Sequence, residues 1–368
     1  MRLGSRVRRR SVGAGLASLL GVVLTVSACS GSGSSSAGAA DAPSAGLSNI
    51  TIGCDNSFFG CMPFFVAQAE GFWKQNGLSV TYVPVTNTAA AEAALVSGSL
   101  NIALGPDAFT FKSKFDTPVQ YVSGLTGQFF EIVANKSVNG NAGTPQQRLA
   151  ALKGQNIGVS GIGSSAYDDV LDGLKVADLT ASDVHFVNIQ GLLTPELAAL
   201  KAGSINAVMT DPVGAAELAG TDSSTYILAN YGVPGYLPSS YQDIVSGMVA
   251  EDSWISGHSK QVKEYQAAFA EAVAWMQKPA DFAAAQTIMK TVIGSSYSPS
   301  IVKSITSDEV DHVLQGYENA TSLEHEYQAD LSVGAISAIP GIDFADYIAP
   351  GTPTSAAAAA KLASSEGQ

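Results

Sequence analysis

The chain has 368 residues, of which 46% are hydrophobic and 14% are charged, with 19 basic against 32 acidic side chains. This composition supplies a substantial core and excludes a globally disordered chain. Five of the six arginines lie within the first ten residues, so the rest of the chain is more acidic still. Nucleic acid is therefore excluded as a partner, because phosphate binding requires clustered lysine and arginine.

The first 28 residues have the pattern of an export signal. A basic start is followed by an apolar run over residues 12–26, which is short and interrupted by glycine and so predicts a signal peptide rather than a membrane-spanning helix. The run ends in VSAC, which resembles the bacterial lipoprotein cleavage box. This resemblance implies cleavage before Cys29 and lipidation of its thiol. Residues 29–47, rich in Gly, Ser and Ala, would form the flexible tether.

The folded region begins with a strand in which Ile50 and Ile52 alternate with polar residues. Pro63 suits the first turn of a helix that Gly71 would end. The runs LSVTYVPV and LNIAL predict two further strands, separated by a helix capped by Asn87 or Thr88. Strands and helices alternating at this spacing indicate βαβ units and a parallel sheet.

The same order of elements starts again after residue 150. LKGQNIGVS predicts a strand, Ser164 or Ser165 would cap the helix AYDDVLDGLKV, and VHFVNI, TPELAALKAG and INAVMT continue the pattern. The segments at 95–108 (LVSGSLNIALGPDA) and 200–213 (LKAGSINAVMTDPV) repeat one another, each ending in a loop with an acid and a proline. We interpret the chain as two similar α/β halves whose strand ends surround one cleft.

The last third is predicted to be helical. Val262, Tyr265, Phe269, Ala272 and Met276 form one apolar stripe of a packing helix. The EHE triplet at 324–326 is interpreted as a solvated helix face, and residues 347–368 as a loose, low-complexity tail. No metal site is expected, because no ligand spacing relates the four histidines, which are His185, His258, His312 and His325.

Several fragments, in this order, resemble a known family: ITIGC…PFFVAQAEGFWKQNGLSVTYVPV, LVSGSLNIALGPDA, LKGQNIGVSGIGSS, ALKAGSINAV and MVAEDSWI. They are similar to periplasmic solute-binding proteins of ABC importers, in the branch that handles nitrate, sulfonates, taurine and thiamine-pyrimidine precursors. The resemblance covers roughly residues 50–279. It implies an α/β, two-lobed, type II periplasmic-binding-protein fold, in which each lobe is a sheet flanked by helices and two crossover strands form the hinge.

The resemblance also implies an organisation and a function. Lobe I would comprise residues 48–137 and 244–346, and lobe II residues 138–243. The protein would capture a small organic solute, either sulfonate- or taurine-like or pyrimidine- or amine-like, between closing lobes and deliver it to a permease and its ATPase. It would act as a lipid-anchored monomer on the extracytoplasmic face of the cell membrane, without a cofactor or catalytic residues. Two alternatives stay open: an enzyme like those of thiamine-pyrimidine synthesis, and a ligand-sensing lipoprotein without transport.

The loops of this family, carried over residue by residue, imply a ligand-binding set. Its members are Asp55, Asn56, Ser57, Phe58, Asp107, Thr126, Gln128, Gly163, Ser164, Ser165 and Asp211. Asp107 and Asp211 are explained at least as well by helix capping, so Asp55 is the strongest single candidate. Because no arginine lies in these loops, we expect a neutral or amino-bearing solute rather than a simple inorganic anion.

Two cysteines remain once Cys29 is assigned to the lipid. In an oxidising compartment a disulfide between Cys54 and Cys61 is the preferred interpretation, and two buried free thiols are the alternative.

Overall fold

A computed structural model describes residues 46–54, 60–85, 87–104, 108–189, 194–221, 224–243, 246–293, 297–310 and 316–365. The strands are β1 (Ser48–Gly53), β2 (Leu78–Val83), β3 (Ile102–Leu104), β4 (Val119–Thr126), β5 (Glu131–Asn135), β6 (Asn156–Val159), β7 (His185–Asn188), β8 (Ala207–Thr210), β9 (Thr225–Asn230) and β10 (Ser246–Glu251).

The helices of the first two thirds are α1 (Met62–Ala69), α2 (Phe72–Gln75), α3 (Thr88–Val96), α4 (Ala108–Phe115), α5 (Pro145–Ala150), α6 (Ser165–Val176), α7 (Thr194–Ala202) and α8 (Pro212–Thr221). Those of the last third are α9 (Asp252–Gly257), α10 (Ser259–Met276), α11 (Phe282–Ile293), α12 (Pro299–Asp308), α13 (Ala320–Val333) and α14 (Ala356–Ser365). Across the described ranges, none of these helices has the length and apolarity that a bilayer crossing requires.

The strands form two five-stranded sheets with the same topology. Their orders are β2-β1-β3-β10-β4 and β7-β6-β8-β5-β9. In each sheet three neighbouring strands are parallel, and two further strands run antiparallel to the neighbours with which they pair. The predicted two-lobed α/β architecture is therefore confirmed.

The repeated sequence builds the same turn in both lobes. Gly98 and Gly203 follow α3 and α7, with φ angles of +74° and +70°. Glycine adopts this left-handed conformation without the steric cost that a Cβ would bring. The helix can therefore end sharply and lead directly into the next strand.

The asparagine of each repeat completes the neighbouring strand. Asn101 Oδ1 accepts a hydrogen bond from the backbone N–H of Thr51 at 2.8 Å, and Asn206 Oδ1 accepts one from Asn156 N–H at 2.9 Å. Each asparagine lies just before its strand, β3 or β8, and each partner amide lies on the adjacent parallel strand. The sequence repeat thus corresponds to one structural unit used twice.

The chain crosses between the sheets at residues 127–130, after β4, and has returned to the first sheet by the start of β10 at Ser246. The predicted lobe boundary after residue 137 is therefore displaced, because β5 pairs with β8 and β9 of the second sheet. The resemblance implies that FEIVANKS (residues 130–137) is one of the two crossover strands. In the structure its strand, β5, belongs wholly to lobe II, where its hydrogen-bond partners lie.

The predicted loose tail is wrong for residues 347–365. Ala359 of α14 is buried, and α14 packs against α10. Thr352 Oγ1 donates a hydrogen bond to the carbonyl of Tyr121 at 2.9 Å and accepts one from Gln266 Nε2 at 3.1 Å. An alanine run that looks low in complexity is also the strongest helix-forming composition, and its small side chains allow close packing.

The predicted stripe of α10 is confirmed, since Val262, Tyr265, Phe269, Ala272 and Met276 are all buried.

A disulfide joins Cys54 at the end of β1 to Cys61 just before α1, with 6.1 Å between their Cα atoms. Both cysteines are buried in the core of lobe I. The bridge therefore closes the short loop that follows the first strand.

Candidate functional site

A recess lies between the two lobes, beside the crossing segment 127–130. Lobe II lines it with Gly163, Ser165 and the three aspartates Asp168, Asp169 and Asp172 of α6. Lobe I contributes residues from three helices and one strand. They are Glu92 of α3, Thr110 of α4, Ser246 of β10, and Glu326, Ala329 and Asp330 of α13. The crossing segment itself contributes Gly127, Gln128, Phe129 and Phe130. We call this site the acidic recess.

The lobes touch each other at the start of α3. Thr88 Oγ1 accepts a hydrogen bond from the backbone N–H of Ser165 at 3.0 Å. The side chain of Asn87 caps α3 by accepting from Ala90 N–H at 2.8 Å, and its Nδ2 donates to the carbonyl of Ser160 at 2.9 Å. These two inter-lobe bonds hold α3 of one lobe against the loop before α6 of the other. The two lobes are therefore in direct contact at this point.

The helix α6 begins at Ser165, as the sequence predicts, with Ser164 at the capping position. The hydroxyl of Ser164 does not cap the helix but donates to the carbonyl of Gly161 at 2.7 Å. The acceptor for Ser165 N–H is instead Thr88 of the other lobe. A helix N-terminus needs acceptors for its free amides, so closure of the lobes satisfies one that opening would release.

Burial shifts the ionisation of two aspartates in the recess. Asp172 Oδ1 accepts a hydrogen bond from the hydroxyl of Tyr241 at 2.8 Å, and burial raises the pKa of Asp172 to about 7. Burial also raises the pKa of Asp169 well above its usual range, and the nearby charges of Asp172 and Asp168 raise it further. A carboxyl removed from water is harder to ionise, and a neighbouring negative charge adds to that cost.

Glu326 also belongs to this site, contrary to the interpretation of EHE as a solvated face. Its side chain is 9% exposed and accepts a hydrogen bond from the hydroxyl of Tyr121 at 2.9 Å. On α13 it follows the buried residues Ser322 and Leu323 and precedes Tyr327. Glu326 therefore lies in the inward stripe of the helix, while Glu324 is exposed.

The structure brings together part of the predicted ligand set. Gln128, Gly163 and Ser165 line the acidic recess, and Ser164 is buried beside them. Thr126 is buried at the end of β4, where its hydroxyl has no hydrogen-bond partner within the described part of the chain. Asp211 Oδ1 caps α8 by accepting from Gly214 N–H at 2.9 Å. Five further members lie outside the described residues, as does Cys29: Asp55, Asn56, Ser57, Phe58 and Asp107.

The carboxylates of the recess were not among the predicted site residues, although their sequence positions carry a signal. Glu92, Asp169 and Glu326 each occupy a position in the buried stripe of their helix. An acid at such a position is expensive unless it is neutral or paired, so it points to a specific role. Within the described ranges, no group of three histidine, cysteine or acidic side chains is placed to hold a metal ion.

Solved structures with the same fold include proteins named for alkanesulfonate binding, for nitrate binding and for desulfurization. The alkanesulfonate-binding protein SsuA from Xanthomonas axonopodis pv. citri, bound to MOPS, is 18% identical with a TM-score of 0.62, covering 86% of this chain and 99% of that one. The periplasmic nitrate-binding protein NrtA from Synechocystis PCC 6803 is 12% identical with a TM-score of 0.66, covering 86% and 88%. The desulfurization enzyme DSZB is 13% identical with a TM-score of 0.56, covering 82% and 96%.

No curated protein matches the sequence significantly. The model of the family described as NMT1/THI5 like matches residues 59–282, which is more than half of the chain. The structural neighbours, at these identities, support the periplasmic-binding-protein fold alone. The chain belongs to the NMT1/THI5-like family.

Proposed function

We propose that this protein is the extracytoplasmic, lipid-anchored solute receptor of an ABC importer. It captures a small organic molecule between its lobes and presents the closed form to a permease and its ATPase. Membership of the NMT1/THI5-like family supports a solute-binding role, and the neighbours named for sulfonate and nitrate binding share the fold. The signal sequence and the VSAC box at residues 26–29 support the anchor.

One observation carries this proposal. The acidic recess is lined from both lobes and from the segment that joins them, so a molecule inside it touches every part that moves on closure. The inter-lobe bonds of Thr88 and Asn87 exist in the closed arrangement. A solute that adds contacts to this form alone shifts the population towards it, as a receptor requires.

The test is a thermal-shift and small-angle scattering screen of the full chain, exported by its own signal and solubilised in detergent. The panel contains alkylamines, diamines, taurine, alkanesulfonates, nitrate and aminopyrimidines. We expect at least one compound to raise the melting temperature and to reduce the radius of gyration, because binding to the folded state stabilises it. If no compound of any charge has both effects, the proposed function is wrong.

The anchor has its own test. Cells fed a labelled fatty acid should label the chain, and Cys29→Ser should abolish the label and release the protein from the membrane fraction. Two acyl chains hold a protein firmly at a membrane, so the parental chain should stay in the pellet after a salt wash. Label on the Cys29→Ser variant would contradict the assignment.

The enzyme and the sensor remain the alternatives to be tested. Incubation of the protein with its best-binding solute should return that solute unchanged, as judged by mass spectrometry. Deletion of the chain should abolish uptake of the labelled solute by cells. A new product would favour an enzyme, and unchanged uptake would favour a sensor.

A further inference from the structure

The acidic recess has a distinctive charge. Six of its lining side chains are carboxyl groups, contributed by three helices: Glu92, Asp168, Asp169, Asp172, Glu326 and Asp330. The other polar side chains of the described lining are neutral, and no lysine or arginine is among them. Lys114 approaches from α4 and contacts the backbone carbonyl of Gly163 with its Nζ at 3.4 Å. The charge that these side chains can develop in the recess is therefore negative, once the carboxyl groups are ionised.

Asp169 is a recess carboxyl group with no hydrogen-bond donor within the described part of the chain. It is 9% exposed and lines the recess, and its side chain accepts no hydrogen bond from any residue in the described ranges. By contrast, Asp172 has Tyr241 and Glu326 has Tyr121 as hydrogen-bond donors. A buried polar group without a partner is costly, so Asp169 is suited to receive a donor from a bound molecule.

A second polar group near Asp169 also lacks a hydrogen bond within the described part of the chain. Tyr231 is fully buried, and its hydroxyl has no hydrogen-bond partner within the described part of the chain. Burial raises the pKa of Tyr231, and the charges of Asp169 and Asp172 raise it further, which places the phenol in the field of these two carboxyl groups. A positive charge beside Asp169 would favour the ionised carboxylate, to which a nearby neutral phenol can donate.

Aromatic rings complete the lining. Phe129 and Phe130 contribute to the recess at the crossing segment, with their ring centroids 4.5 Å apart, and Ala329 adds a further apolar surface. Carboxylates combined with aromatic faces suit a cation that also carries hydrocarbon. A bare metal ion would gain nothing from the rings.

We infer that the solute is an organic cation, a primary amine or diamine, whose ammonium group binds Asp169 and whose hydrocarbon part lies against Phe129 and Phe130. This inference rests on the proposed function and names its substrate class. An ammonium group supplies both the N–H donors that Asp169 lacks and the charge that compensates the carboxylates. Carboxyl groups on both sides of the recess let a second ammonium group reach α13.

Binding of such a cation is expected to release protons from the carboxyl groups of the recess. In the recess, burial raises the pKa of Asp172 to about 7 and that of Asp169 well above its usual range. The ligand favours the ionised forms, so its binding releases protons and its affinity increases as the pH rises.

Several charged or titratable groups surround Asp169 and Asp172. They are Asp168 and Lys175 on α6 itself, Tyr231, Tyr241, Glu92, and Glu326 and Asp330 of α13.

The test is titration calorimetry of the full chain in detergent. The cationic probes are ethylamine, 1,4-diaminobutane, 1,5-diaminopentane and agmatine, and the comparison probes are taurine, ethanesulfonate, nitrate, 4-aminopyrimidine and Mg²⁺. We expect at least one amine to bind at about pH 8 and to bind about tenfold or more weakly at about pH 5.5. Titrations in two buffers of different ionisation enthalpy should show that protons are released on binding.

The variant Asp169→Asn should weaken the amine by about tenfold to a hundredfold, the range for losing a hydrogen bond to a charged group. Asp178→Asn is the matched control, since it changes an exposed aspartate just beyond α6 and should leave affinity unchanged. The proton measurement uses the unmodified chain, so it decides the matter even if Asp169→Asn fails to fold.

The two proposals fail in different ways. If taurine, a sulfonate, nitrate or the pyrimidine binds while every amine fails, the inference of a cationic solute is wrong and the receptor function stands. Binding of Mg²⁺ alone, or of an amine without proton release, also overturns the inference. If no probe binds, both proposals fall.

Discussion

Asp172 is a buried carboxyl group whose proton affinity links the recess to the stability of the fold. Burial raises its pKa to about 7, although the hydrogen bond from Tyr241 acts in the opposite direction. An aspartate in the unfolded chain has a pKa of about 4. Between these two values the folded protein holds a proton that the unfolded chain has lost, so stability falls as the pH rises through this window and the loss is complete above about pH 7.

We therefore predict that Asp172→Asn stabilises the unliganded protein at about pH 8, by about 1 to 4 kcal/mol, and has little effect at about pH 4. The asparagine carbonyl can still accept the hydrogen bond from Tyr241. The measurement is urea unfolding across this pH range, with the exposed Asp178→Asn as the control. Equal stabilisation at both ends of the range would contradict the assignment.

The candidate site was only partly predictable at this scale. Gln128, Gly163 and Ser165, which line the recess, were predicted because the loops of the resembling family were carried over to these positions. The carboxylates lie within helices, where acidic residues usually face solvent, and their meeting depends on how α6, α3 and α13 pack. Such long-range packing is not encoded in the local pattern of any one helix.

At the scale of elements, the asparagine of the repeat supports its lobe by a bond to a neighbouring strand. Asn101 and Asn206 accept from Thr51 N–H and Asn156 N–H in equivalent places. We predict that Asn101→Ala and Asn206→Ala each lower the free energy of unfolding by about 1 to 2 kcal/mol, because each leaves a strand amide without its acceptor.

The substitutions Asn101→Asp and Asn206→Asp keep the acceptor oxygen and serve as matched variants. Chemical denaturation should rank them above their alanine counterparts. The prediction fails if aspartate is as destabilising as alanine at both positions.

The C-terminal helix offers a second pair of variants. Ala359 of α14 is 8% exposed, whereas Ala357 on the same helix is exposed. We predict that Ala359→Asp lowers the free energy of unfolding by about 3 kcal/mol by placing a charge against α10, and that Ala357→Asp changes it by less than about 0.5 kcal/mol. Denaturation curves and limited proteolysis of the C-terminus provide the measurement. A similar effect of both variants would mean that α14 does not dock in solution.

The elements were largely predictable because their patterns are local. Alternating residues mark β1 and β2, and the i, i+3, i+4 stripe marks α10. The sheet to which β5 belongs was not predictable from its pattern, because the residues of an apolar strand do not indicate which strands it pairs with. The helix α14 was missed because its alanines satisfy two descriptions, low complexity and high helix propensity, and tertiary packing decides between them.

At the level of both lobes together, the proposed function depends on an equilibrium between open and closed lobes. Moving such an equilibrium from 1:99 to 99:1 requires about 5.5 kcal/mol of differential binding. If the proposal is correct, the inter-lobe bonds of Asn87 and Thr88 add to the stability of the closed form. The stronger these bonds are, the less differential binding free energy the solute itself must supply to close the lobes.

Asn87→Asp separates closure from helix stability within one residue. The aspartate keeps the cap of α3, where a negative charge is favourable, but it loses the N–H that donates to the carbonyl of Ser160. We predict a larger radius of gyration by small-angle scattering and an affinity for the solute about tenfold weaker, with little change in melting temperature.

Thr88→Val should act in the same direction, since it removes the acceptor for Ser165 N–H. Ser298→Asp, which places a carboxylate at the cap of α12, is the control that should leave both quantities unchanged. Unaltered scattering from Asn87→Asp and Thr88→Val alike would show that these contacts do not govern the closed state.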